Sequence, residues 1–254
     1  MFKSISLIVP GLVRRVYGEF TPKAEIENQN KLYRDLGLDR EQAKQKIDSI
    51  CLANFGRPFS EHVGMWSEHL VLLAALSIKR NDITRILEIG TFKGETTSIL
   101  SSLFPNSFID TVDLARQQIL DQGIYSYATD SIVTSQERVT RENITFKVMN
   151  SIQLLHETEK YDLIWVDGAH TSPISVIDIA NSIRLLSKNG VAICDDVFLE
   201  PNFLDKVSDL SSFETLQAFQ ESGIVTFTLI RKRLSKRFNN FLVKTKYLGV
   251  YKLS

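Results

Sequence analysis

Four residues in the second half of the chain have the types and spacing to do chemistry together. Asp167 and His170 lie in Trp165-Val166-Asp167-Gly168-Ala169-His170, and Asp195 and Asp196 follow Cys194. Both groups come directly after short apolar runs, 163–166 and 191–194, that read as neighbouring strands. Three carboxylates at two adjacent strand ends would repel one another and raise each other's pKa. A divalent cation among Asp167, Asp195 and Asp196 removes that problem, and hard oxygen ligands favour Mg²⁺ over Zn²⁺. His62 and His69 offer no rival zinc site, because neither has a cysteine or paired carboxylate at ligand spacing. Taken singly, Asp195 and Asp196 read as well as solvated loop acids, and His170 as a residue leading into a helix. Their joint placement favours a site.

A second constellation lies upstream. Glu88-Ile89-Gly90-Thr91-Phe92-Lys93-Gly94-Glu95-Thr96-Thr97 follows a strand-like run and opens a helix. Gly90 permits a tight turn and close approach of a ligand to the backbone. Gly94 lets the start of the helix lie close, with free N–H groups suited to a carboxylate or phosphate. Asp113 ends the next strand-like run, where a carboxylate accepts hydrogen bonds from ribose hydroxyls. A structural strand–turn–helix junction would need only the glycines; strand, turn, helix and acid together point to a nucleoside ligand. A nicotinamide dinucleotide fits less well. Its fingerprint has three glycines, and Phe92 would crowd a pyrophosphate.

The elements that must position these residues are short apolar runs at 83–89, 108–112, 144–148, 163–166, 191–194, 224–230 and 247–253. Helical stretches are predicted at 40–54, 64–79, 95–103, 151–156, 173–187 and 212–221, with Ser172 as the cap and Pro173 as the first helical residue of one of them. This alternation predicts an α/β fold with a mostly parallel sheet and helices on both faces. Ligands of such sheets sit beyond the carboxyl ends of the strands, where five successive runs here end in polar residues. Residues 1–60 are expected to form an N-terminal helical extension and 61–254 the ligand-binding domain.

Leu87-Glu88-Ile89-Gly90-Thr91-Phe92-Lys93-Gly94 resembles the first motif of class I S-adenosylmethionine-dependent methyltransferases. Its E-x-G-x-aromatic-x-G form is similar to the catechol and caffeoyl-CoA O-methyltransferase group. The segment Asp167-Gly168-Ala169-His170 resembles the related macrolide-sugar enzymes. The resemblance spans roughly residues 83–230. It implies a Rossmann-like, seven-stranded sheet whose last strand runs antiparallel beside the fifth. It further implies that Glu88, Gly90, Thr91, Phe92, Gly94 and Thr96 bind S-adenosylmethionine, with Gly90 by the methionine portion and Thr96 at its carboxylate. Asp113 would hold the ribose, and Asn150 and Ser151 would flank the adenine. Asp167 would touch the cofactor, share an Mg²⁺ ion with Asp195 and Asp196, and act in catalysis with His170 as general base. Asp196 departs from the catechol enzymes, which carry Asn there. The acceptor so implied is a hydroxyl of a small molecule or sugar, its pocket coming from the N-terminal segment and the loops at 121–142 and 198–209.

The bulk properties are compatible with such an enzyme. The chain has 254 residues, 43 % hydrophobic, and no formal net charge, so no global field draws it to nucleic acid or membrane. Cys51 and Cys194 form no disulfide or metal pattern, which suits a reducing cytoplasm. Residues 1–13 lack the features of a signal peptide, no stretch is long enough to span a bilayer, and an amphipathic membrane-touching start is a minor alternative. After Glu221 no acid follows, whereas Arg231, Lys232, Arg233, Lys236, Arg237, Lys244, Lys246 and Lys252 do. This basic run reads first as a solvated hairpin face. It leaves RNA methylation as one alternative function. A non-catalytic binding protein on the same fold is another, and homo-oligomerisation stays open.

Overall fold

The computed structural model describes residues 21–114, 139–200, 209–235, 238 and 244–254. Among the described residues three helices precede the first strand, beginning with α1 (Lys23–Asp35) and α2 (Arg40–Phe55). The Asp39 carboxylate accepts from the N–H groups of Glu41 and Gln42 and so caps α2, while Gly56, at φ 70°, ends it in the left-handed region. The next helix, α3 (Glu68–Lys79), is buried from Glu68 through Leu76. A helix apolar all round belongs inside a fold, and α3 lies between α2 and the sheet.

Then follow β1 (Arg85–Ile89), α4 (Glu95–Leu103), β2 (Phe108–Asp113), β3 (Ile144–Val148), a 3-10 helix (Ser151–His156), β4 (Tyr161–Val166), α5 (Ile174–Leu185), β5 (Leu186–Val197), α6 (Ser211–Glu221), β6 (Val225–Arg231) and β7 (Tyr247–Leu253). They form one seven-stranded sheet in the order β3-β2-β1-β4-β5-β7-β6. β7 runs antiparallel to both β5 and β6, and the other pairings are parallel, as the predicted fold class has it.

Period-two alternation divides the strands between two cores. Ile86, Leu163, Trp165 and Ile193 face a cluster with Tyr33, Ile47, Ile99 and the residues of α3. Leu87, Ile164, Val166 and Ala192 face the opposite cluster, with Ile179, Leu216 and Tyr251. The N-terminal helices thus share the first core with the central strands.

Several boundaries differ from the expectation. The helix predicted from 64 starts at Glu68, because the Ser67 hydroxyl bonds the His69 ring at 2.7 Å and residues 61–65 form turns. Ser172 does not cap α5. Pro173 flanks its first residue, and the Ser172 N–H donates to Asp209 at 2.7 Å. No helix among the described residues is long and apolar enough to cross a membrane. The loops expected to shape the acceptor pocket lie largely outside the described residues.

Ile47 of α2 is fully buried in the core it shares with the strands. Ile47→Ala should cost about 2–5 kcal/mol of stability for the lost burial and the cavity left behind. Denaturant melting should show one transition moved to lower denaturant; two transitions would mean that the N-terminal helices form a unit of their own.

Candidate active site

The strand order reverses between β1 and β4, and the site grows from that point. There the Asp167 N–H donates to the Ile89 carbonyl at 2.8 Å, and the Gly90 N–H donates to Val112 at 2.9 Å. Gly90 sits at φ 98°, and a Cβ on it would stand 2.1 Å from the Asp167 carbonyl oxygen. Only glycine lets these two strand ends meet. At Gly94 the chain turns again at φ 66° into α4, with no side chain capping the helix. The start of α4 is thus of a kind that suits an anion.

Not every residue expected at the cofactor faces it. Glu88 is fully buried, and its carboxylate accepts from the hydroxyls of Thr97 and Thr111, the latter at 2.6 Å. The Thr91 hydroxyl is also buried, bonded to Thr111 at 2.5 Å. The Glu88 and Thr91 side chains, both buried, thus brace the turn through Thr97 and Thr111 and are turned inward, away from where the motif expects a ligand. Thr96 lies at the start of α4, with its hydroxyl 3.5 Å from His69 Nε2.

Asp113 stands at the mouth of the turn. Its carboxylate accepts from the N–H groups of Phe92 and Leu114, each at 2.7 Å, and so fixes Phe92 at φ 45°. Burial raises its pKa even against these bonds. Beside it, the Met149 N–H donates to the Asp113 carbonyl at 2.8 Å, bringing Asn150 and Ser151 to the same rim. Asn150 spends its side-chain oxygen on the Ile152 N–H and caps the 3-10 helix. Any contact of Asn150 with a ligand falls to its amide nitrogen or backbone.

At the reacting end, Asp195 and Asp196 meet around a cation supplied by the chain, with Asp167 beside them. Lys232 Nζ donates to Asp195 at 2.5 Å and to Asp196 at 2.6 Å, and Lys246 Nζ donates to Asp196 at 2.7 Å. Two successive strand residues normally point to opposite faces. Here the β5–β7 register shifts between Cys194 and Val197, and Asp196 takes φ 49°, so both carboxylates reach one ammonium. Burial opposes ionisation of Asp195 and Asp196, but Lys232 outweighs it and holds both below the ordinary carboxylate range, with Lys246 assisting at Asp196. Burial and the neighbouring Asp195 push Asp167 well above that range.

The expected Mg²⁺ ion does not fit this arrangement. Both oxygens of Asp196 and one of Asp195 are turned onto Lys232 and Lys246, leaving Asp195 Oδ1 buried without a partner, and no group of three or more acidic, histidine or cysteine side chains among the described residues is arranged to hold a metal. The basic run hid one buried lysine, Lys232, and one partly exposed lysine, Lys246, that pair with these acids, which its composition did not reveal. The one signal available was the absence of any acid after Glu221, opposite a strand ending in two acids.

His170 lies beside Asp167, its Nε2 3.6 Å from Asp167 Oδ1, with 26 % and 29 % of the two side chains exposed. Beneath it, His69 stacks on Trp165 at 4.9 Å, and burial pushes its pKa down to about 3, so it is a neutral imidazole. Trp66 donates to Glu95 at 3.1 Å and ties the segment before α3 to the first turn of α4.

Glu88 makes the turn sensitive to pH. Burial raises its pKa from the ordinary 4.5 to about 7, against the two threonine bonds. A raised carboxyl pKa contributes stability that is complete below about 4.5 and lost as pH rises to about 7, an effect of at most ~3 kcal/mol. Glu88→Gln should remove that part of the decline, seen as a smaller drop in denaturant midpoint between about pH 5 and pH 8. An unchanged drop would show that Glu88 stays ionised.

Residues 87–197 match a family model described as a methyltransferase domain. No curated protein matches the chain in sequence. Three solved structures share the fold. The methyltransferase PaMTH1 of Podospora anserina, solved with S-adenosylhomocysteine, is 14 % identical over 97 % of this chain and 94 % of its own, with a TM-score of 0.52. Cofactor-bound Rv0187 from MTB is 18 % identical over 95 % and 94 %, also at 0.52. The N-methyltransferase NodS of Bradyrhizobium japonicum WM9 is 15 % identical over 73 % and 94 %, at 0.52. Identities this low carry the fold and leave the acceptor atom open. The reversal point, the Gly90 turn and the Asp113 rim all lie on or at the matched residues 87–197, and the chain has the fold of these methyltransferases.

Proposed function

We propose that the protein transfers the methyl group of S-adenosylmethionine to a hydroxyl of a small molecule or sugar. The observation that carries this reading is the gathering of two unlike sets of residues at the carboxyl ends of neighbouring parallel strands. The Gly90 turn, the uncapped start of α4 and Asp113 form one end of the gathering, and Asp167 and His170 form the other.

Each end has a chemical part. At the first, the N–H groups of α4 suit the carboxylate of the methionine portion, and Gly90 allows close approach to the backbone. Asp113, already fixed by Phe92 and Leu114, suits the ribose hydroxyls. S-adenosylmethionine supplies a methyl group already activated on its sulfonium, so the chain mainly aligns the acceptor with it and excludes water. At the second end, His170 is partly exposed beside Asp167 and suited to take the hydroxyl proton as the new bond forms.

The basic run lends little support to RNA as the acceptor. Arg231 pairs with Glu25 at 2.7 Å, Lys244 with Glu200, and Lys232 and Lys246 with the buried acids. Cations already paired within the chain contribute little to a phosphate-binding face. We further take residues 61–254 as the catalytic unit and 1–60 as its helical extension. A reducing cytoplasm fits Cys51 and Cys194, both buried as free thiols.

S-adenosylhomocysteine should bind the full chain and raise its melting temperature. Asp113→Ala should weaken that binding by about 1–3 kcal/mol in calorimetry, the usual cost of lost charge-assisted hydrogen bonds. Unchanged affinity would remove Asp113 from the ribose site. With an accepted hydroxyl substrate, His170→Ala should lower kcat by roughly 10²–10⁴ while leaving S-adenosylhomocysteine affinity unaltered. A normal rate would exclude His170 as the base.

A further inference from the structure

We infer that Lys232 is a built-in replacement for a divalent metal ion at the reacting end, so that methyl transfer by this chain proceeds without one. The inference rests on the methyltransferase reading and adds a positioning residue to it. Lys232 is only 5 % exposed. Its N–H donates to Lys246 and its carbonyl accepts from Glu68, both at 2.9 Å, so the backbone is pinned between β7 and the start of α3. That clamp holds the ammonium against Asp195 and Asp196.

The charges close without a metal. Asp195 and Asp196 supply two negative charges, and Lys232 and Lys246 supply two positive ones. Asp167 stands beside this neutral set. A divalent ion would have to enter within a few ångströms of two ammonium groups, where like charges repel strongly. It would also have to displace Lys232 from buried bonds, leaving the ammonium without partners. A lysine differs from a metal ion in one chemically important way. Two of its three donors go to Asp195 and Asp196, and an ammonium has no vacant orbital for the acceptor oxygen, so it orders the carboxylates without acting as a Lewis acid, and removal of the acceptor proton is left to His170.

Mn²⁺ titration of the full chain, followed by the electron paramagnetic resonance of the free ion, tests this directly. The wild-type protein should take up no stoichiometric Mn²⁺. Lys232→Met, which keeps the aliphatic bulk and removes the charge, should bind one Mn²⁺ per chain at least about 100-fold more tightly than wild type, and Mn²⁺ should raise its melting temperature. One Mn²⁺ bound per wild-type chain and lost in Asp196→Asn would overturn the inference. So would a folded Lys232→Met protein with no gain in Mn²⁺ affinity, since something other than the ammonium would then exclude the ion. Should Lys232→Met fail to fold without metal, refolding in the presence of Mn²⁺ but not in its absence supports the inference, and failure in both leaves the wild-type titration to decide. S-adenosylhomocysteine calorimetry on the same wild-type sample keeps the two readings apart: lost cofactor binding removes the methyltransferase function, whereas Mn²⁺ uptake removes only the role of Lys232.

Discussion

A buried ammonium is tolerated only where opposite charges replace the water it has lost. That constraint organises the reacting half of this protein. Lys232 reaches Asp195 and Asp196 only because β7 lies between β5 and β6, which brings the end of β6 near the end of β5. It also needs the irregularity after Cys194, which turns Asp195 and Asp196 to the same side. The backbone bond from Glu68 to the Lys232 carbonyl then fixes where α3 begins. Glu68 in turn pairs with Arg40 of α2 through both carboxylate oxygens, so the cluster is linked to the N-terminal helices.

The cofactor half obeys a steric constraint. β1 and β4 meet so closely at Gly90 and Asp167 that a side chain on Gly90 would overlap the neighbouring backbone. Glu88, Thr97, Thr111 and Thr91 form a polar plug under the turn that follows. A buried polar network of this kind specifies one geometry, because a misplaced turn would leave its carboxylate without donors. The cofactor end and the reacting end share one residue, Asp167, whose backbone supports the Gly90 junction and whose side chain faces His170.

Much of the fold was legible because burial imposes a period. The alternation of Ile86 with Leu87 and of Ile164 with Trp165 sends neighbours to opposite cores, and such runs stand out as strands. The strand ends were legible for a similar reason, since Gly90, Asp113, Asp167 and Asp195 each break an apolar run. Helix starts were less so: Ser67 and Ser172 both have cap chemistry, but a histidine engages the first and a loop aspartate bonds the backbone of the second.

The roles of individual polar residues divide along the same line. Local sequence determined that acids, glycines and an imidazole gather at the carboxyl ends of parallel strands, because strand and turn signals are written within a few residues. Only the tertiary structure decided which way each one faces. Glu88 reads as a ligand contact in its motif and proves to be a brace, because β1 presents it to Thr97 and Thr111 in the interior. Three acids read as a metal site until Lys232, 36 or 37 positions away in sequence, enters between two of them. No local pattern announces such a partner. The energy of a buried charge depends on what surrounds it in space, and that is set by the strand order.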